Sequence, residues 1–175
     1  MPEFDSNTTT ASAAAGGDGG GGVSAGDDGD GFAHPLAILG TEGIYDICRL
    51  RDTYSHISQY KEFLECAFGP DEPIWDVVSP AVRGQDEAGG IERGWRVGRL
   101  AMLAHSVEDS LVDAGQVALM KDSLVPWEKQ GAPGRKVLTL ALIGEHDDPW
   151  EKGDELARAI AVTIHELQQL LFVMS

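Results

Sequence analysis

An α/β domain built on a parallel sheet is the fold class the sequence predicts, and three observations predict it. Three short apolar runs, residues 36–40 (LAILG), 99–105 (RLAMLAH) and 136–143 (KVLTLALI), read as buried strands. Segments with apolar residues at helical spacing lie between and after them. The resulting order of strand, helix, excursion, strand, helix, strand, helix implies parallel pairing with right-handed crossovers.

Each element has its own signal. Residues 36–40 end in glycine, which closes the first strand. Ile57, Tyr60, Phe63, Leu64, Ala67 and Phe68 then recur at helical spacing, and Gly69-Pro70 stops that helix. Residues 70–98 are rich in Gly and Pro with charges interspersed, a long excursion with a short helix near Trp75. After the second strand, Asp113 stands three residues before Gln116, a capping-box pattern, and Val117, Met120 and Leu124 follow on one helical face. Past the third strand, Asp148-Pro149-Trp150-Glu151 offers an N-cap, a proline at N1 and an acid at N3. The closing helix is expected to bury Leu156, Ile160, Ile164, Leu167 and Leu171, with Gly153 a weak point near its start.

Composition bounds the partners. The 175 residues hold 13 Lys+Arg and 29 Asp+Glu, a net charge of −16, which disfavours nucleic acid and anionic membranes because both need clustered basic residues. There is no uninterrupted apolar run of the ~18 residues that span a bilayer, and the N-terminus lacks the order of a signal peptide, so a cytoplasmic protein is expected. Cys48 and Cys66 lack the spacing of a disulfide framework or zinc site. Residues 1–31 contain nine of the 22 glycines, six acids and no basic residue. Such a segment buries too little to offset its backbone entropy, so residues 1–34 are read as a disordered tail ahead of one domain, residues 35–175.

In open parallel sheets, functional groups gather past the carboxyl ends of strands. Two such loops carry chemistry: residues 106–113 (SVEDSLVD) after the second strand and Gly144-Glu145-His146-Asp147-Asp148 after the third. An acid in the first and a histidine in the second would share one sheet edge, the arrangement in which a carboxylate fixes an imidazole's tautomer. Several residues have competing structural roles. Asp113 and Asp148 are claimed by capping, while Asp109 has no such role and Asp147 is either solvated or supports a neighbour. His105 reads as a hydrogen-bonded residue at a strand edge, and His34, His56 and His165 as surface or packing positions.

Gly40-Thr41-Glu42-Gly43-Ile44-Tyr45-Asp46 and residues 62–80 (EFLECAFGPDEPIWDVVSP) resemble the middle of fungal kynurenine formamidases. Residues 103–120 (LAHSVEDSLVDAGQVALM) and 144–164 (GEHDDPWEKGDELARAIAVTI) resemble the C-terminal part of the same family. The resemblance implies the C-terminal part of an α/β-hydrolase fold, with Asp109 as triad acid and His146 as general base. It implies no metal or organic cofactor, and N-formylkynurenine as the small-molecule substrate, cleaved at its formamide in tryptophan degradation. The family's HGGxW oxyanion loop does not occur in this chain. Gly22-Val23-Ser24-Ala25-Gly26 satisfies the G-x-S-x-G elbow by letter, but polyglycine precedes it where a strand is required and an Asp/Gly run follows it where a helix should begin. A chain that is truncated, inactive as given and prone to self-association is therefore expected. The alternatives are a non-catalytic acidic interaction protein retaining a hydrolase remnant, or a hydrolase of other acyl esters, with Tyr45, Trp75 and Trp150 as candidate pocket aromatics.

Overall fold

The computed structural model describes residues 34–83, 94–130 and 134–173; the Gly/Asp-rich tail and Ser24 lie outside them. Three parallel strands, β1 (Ala37–Thr41), β2 (Leu100–Ser106) and β3 (Lys136–Leu142), form one sheet in the order β1-β2-β3. Every residue of β2 is buried, as a central parallel strand covered on both faces must be. At the β3 edge, buried and solvent-accessible residues intermix.

The first crossover carries α1 (Ile47–Thr53), α2 (Ser58–Phe68), α3 (Glu72–Val78) and α4 (Pro80–Arg83). The helix α1 is not evident from apolar spacing; it starts because the Asp46 carboxylate accepts from the Arg49 amide at 2.8 Å. The helix α2 matches its expected span, closed by Gly69 at φ +81°. Of its expected apolar stripe, Leu64 alone is fully buried, and Phe63 and Phe68 face solvent. Trp75 on α3 is completely buried against Ile47 and Leu64.

After β2 comes α5 (Gly115–Gln130), whose Met120, Leu124 and Trp127 pack with Leu103 and Val137 of the sheet. Asp113 caps its start, Oδ1 accepting from Gly115 at 2.8 Å. The other half of the capping box does not form. Gln116 turns into the core, its Oε1 accepting from the Tyr45 and Asp46 amides (2.8 Å each) and its Nε2 donating to the Asp46 carbonyl (3.0 Å). Three otherwise orphaned backbone groups outweigh one helix amide.

The final segment is two helices, α6 (Asp148–Glu151) and α7 (Asp154–Val173), because Gly153 adopts φ +80° and breaks the run. Asp147, in place of Asp148, occupies the N-cap position of α6. The Asp148 carboxylate instead accepts from the Glu145 amide (3.0 Å) and pairs with Lys152. The helix α7 covers the sheet through Ala159, Thr163 and Leu170, while the expected core residues Ile160, Ile164 and Leu171 are exposed. By length and composition α7 also reaches the apolarity of a membrane-crossing helix, and it is the one described helix that does.

Candidate active site

Parallel pairing puts the carboxyl ends of all three strands at one edge. The register matches Ser106 to Leu142, so Asp109 and His146 stand three and four residues past a paired position. Each loop anchors the other: the Glu108 carboxylate accepts from the Gly144 amide (2.7 Å), and the Glu145 carboxylate from the Ser110 amide (3.2 Å). Gly144, at φ +105°, also admits the Asp148 carboxylate where a Cβ would lie 2.3 Å away. These bonds fix the separation of the two loops.

Within that frame, Asp109 Oδ2 lies 2.8 Å from His146 Nδ1, with the Asp109 side chain fully buried and that of His146 25% exposed. The second oxygen of Asp109 accepts from the Leu111 and Val112 amides at 2.8 and 2.9 Å. Burial by itself would raise the Asp109 pKa; the Val112 amide, the His146 ring, the Leu111 amide and the Glu42 carboxyl outweigh it and hold the value below 3.8. An anion kept in this way fixes the imidazole with Nε2 facing outward as a base. Among the described residues, the one hydrogen-bonding partner of His146 is Asp109.

Behind Asp109 lies a second acid and a second histidine. Glu42, directly after β1, is the one non-glycine described residue at positive φ (+49°), and its side chain is fully buried. Its two carboxyl oxygens lie 2.9 and 3.2 Å from the Ser106 amide that donates to them, and Oε2 is 2.6 Å from His105 Nδ1. That approach is out of hydrogen-bond alignment, so neither ring nitrogen of His105 has an aligned partner. His105 is thus a buried residue of the central strand, not the hydrogen-bonded edge residue its position suggests. Burial foremost, then the shared hydrogen bond with Asp109, pushes Glu42 up to about 8 against the lowering effect of the Ser106 amide. Burial also lowers His105, which keeps it neutral. Donor atoms of Glu42, His105 and Asp109 fall within 4.8 Å of one another, a spacing a metal ion could bridge. The Ser106, Leu111 and Val112 amides and His146 already engage the two carboxyl groups, so the arrangement is that of a hydrogen-bonded cluster.

An apolar cavity of about 300 Å³ opens beside His146, lined among others by Ile44, Tyr60, Phe63 and Leu111. Tyr60 is held there by its hydroxyl, which donates to the Leu111 carbonyl at 2.7 Å.

With this geometry, the similarity to known proteins has a place to act. A kynurenine formamidase-like hydrolase from Fusarium equiseti is 40% identical over 139 residues, 79% of this chain and 44% of the relative. A kynurenine formamidase from Aspergillus versicolor is 36% identical over 137 residues, 67% of this chain and again 44% of the relative. The chain is similar to fungal kynurenine formamidase-like hydrolases. It spans less than half the length of these curated relatives. No protein-family model and no solved structure matches the chain.

Two of the stretches that resemble the formamidases, residues 40–46 and 103–120, form one interlocked unit. From the first, Glu42 reaches Ser106 and Asp109; from the second, Gln116 holds the Tyr45 and Asp46 amides. Of the expected pocket aromatics, none lines the cavity beside His146. Tyr45 is buried over Gly40 and Gly43, Trp75 is core, and Trp150 is exposed on α6. Tyr60 and Phe63 take that place, and the signal for them was present: two aromatics on one face of α2, which spacing alone assigns to the core.

Proposed function

We propose that this chain supplies the acid–base half of a formamidase-type acyl-transfer site acting on an aryl formamide such as N-formylkynurenine. The observation that carries the reading is the 2.8 Å contact between buried Asp109 and part-exposed His146, at the mouth of an apolar, aromatic-lined cavity. His146 Nε2 takes the proton of a serine hydroxyl as its oxygen attacks the formyl carbon. The same proton then passes to the aryl nitrogen as the C–N bond breaks, and water releases formate from the acyl-enzyme by the reverse relay. Asp109 holds the tautomer and stabilises the imidazolium. The substrate's aromatic ring packs against Tyr60 and Phe63. The nucleophile and the oxyanion donors come from outside the described residues.

A chimera tests this, in which the matched residues of this chain replace their counterparts in the Aspergillus versicolor kynurenine formamidase. The chimera is expected to release kynurenine from N-formylkynurenine, and Asp109→Asn within it to lower kcat by about 10⁴-fold with the fold retained. A folded chimera whose turnover is indifferent to both Asp109→Asn and His146→Ala would overturn the assignment. The 175-residue chain by itself is expected to be no faster than its own His146→Ala variant.

A further inference from the structure

Glu42 and His105 have no part in the relay just described, yet they occupy the most protected position at the site. Resting on the reading of Asp109 and His146 as its acid–base pair, we propose that Glu42 is a positioning residue. As the neutral acid it donates a hydrogen bond to the Asp109 carboxylate and keeps that carboxylate anionic and aligned.

Four observations point this way. The side chains of Glu42 and Asp109 are both fully buried and that of His105 is 7% exposed, so no solvent compensates a second anion there. Two buried carboxyl groups with oxygens within 4.8 Å of each other resist ionising together, so one of them keeps its proton. Their surroundings are unequal: Asp109 receives two amides and an imidazole, whereas Glu42 receives one amide and the His105 Nδ1 at 2.6 Å is out of hydrogen-bond alignment, so the proton resides on Glu42. Finally, Glu42 holds φ +49°, a left-handed conformation that costs a non-glycine residue energy and that persists where surrounding contacts enforce it. Its own amide donates to the Ala104 carbonyl at 3.0 Å, continuing the sheet ladder through the strained residue.

The groups that face this pair define its response to pH. From β2 and its loop these are His105, Asp109 and Asp113; from the loop after β1, Tyr45; from the loop after β3, His146; Tyr54 and Tyr60 face Asp109. Tyr45, pushed up to about 12 by burial and then by Glu42, stays neutral throughout. None of the described groups facing the pair is a lysine or arginine, so ionisation of Glu42 near pH 8 puts a second negative charge against Asp109.

The experiment is a side-chain NMR titration of the 175-residue chain, with ¹³C in the glutamate carboxyls and ¹⁵N in the histidine rings. One glutamate carboxyl signal, absent in Glu42→Gln, should move near pH 8. The downfield His146 Nδ1–H resonance should be sharp below that pH and shift or broaden above it. Glu42→Gln, whose amide still donates but cannot ionise, should keep that resonance unchanged across the same range. A Glu42 carboxyl that titrates with the ordinary carboxylates would overturn the proposal, and the wild-type titration alone decides this if Glu42→Gln does not fold. So would a His146 resonance that changes identically in the two proteins. Failure of the chimera to hydrolyse N-formylkynurenine would sink the formamidase reading while leaving these signals as they are. An active chimera with the same alkaline profile in wild type and Glu42→Gln would do the reverse.

Discussion

At the scale of single residues, the Asp109 carboxylate has four polar neighbours, and this makes the fold sensitive to acid. Its folded pKa lies below the ordinary 3.8, so its contribution to stability is fully present above 3.8 and is lost as pH falls through the folded value. Asp109→Asn is accordingly expected to flatten that part of the curve when denaturant midpoints are measured against pH; an unchanged acid limb would mean other carboxylates govern it. That Asp109 and His146 meet was legible in the sequence by two routes together: parallel strands bring their following loops to one edge, and the formamidase resemblance singles out these two among the acids and histidines there. Glu42 was not. A single acid in a loop carries no periodicity, and its partners Ser106 and Asp109 are 64 and 67 residues further along the chain. His105 was misjudged for a related reason: the sequence locates the strand but does not say whether it is central.

Elements are most legible as apolar runs, as at all three strands, and where a terminator coincides with one, as at Gly69; Gly40, expected to close the first strand, instead lies within β1, which runs on to Thr41. They were read worst where an amphipathic helix carries more than one apolar face. The helix α7 has Ile160, Ile164 and Leu171 on one stripe and Ala159, Thr163 and Leu170 on another, and it is the second stripe, with its small side chains Ala159 and Thr163, that is buried. Close packing of helix on sheet favours them, which spacing cannot reveal. The glycines at element ends separate two kinds of constraint. At Gly40 a Cβ would stand 2.1 Å from the Tyr45 hydroxyl, so Gly40→Ala must displace a buried ring. At Gly153 there is open space, and Gly153→Ala costs the backbone strain of φ +80° alone, about 1 kcal/mol. Thermal denaturation should show the Gly40 variant as much the more damaged; equal losses would mean that the Tyr45 ring moves freely.

For the molecule as a whole, charge and exposed apolar surface oppose each other. Ile74, Val77 and Val78 on α3, and Ile160, Ile164, Phe172 and Val173 on α7, lie on the surface of a chain of net charge −16. Repulsion among the acids is screened within ~8 Å at physiological ionic strength, whereas apolar association is not. Sedimentation velocity should therefore detect larger species as salt rises, and a salt-insensitive monomer would show that these patches are too dispersed to matter. The strand order β1-β2-β3 also bears on how the site comes into being. Residues 107–135 separate β2 from β3, and residues 42–99 separate β1 from β2, twice the span. Each doubling of a closing loop adds about 0.6 kcal/mol to its entropic cost, and distant pairings form more slowly. The β2–β3 pair is thus the cheaper first step, and it alone brings Asp109 to His146. On that ordering the dyad is assembled before β1 docks and delivers Glu42 behind it, so the buried support arrives last, onto a site already in register.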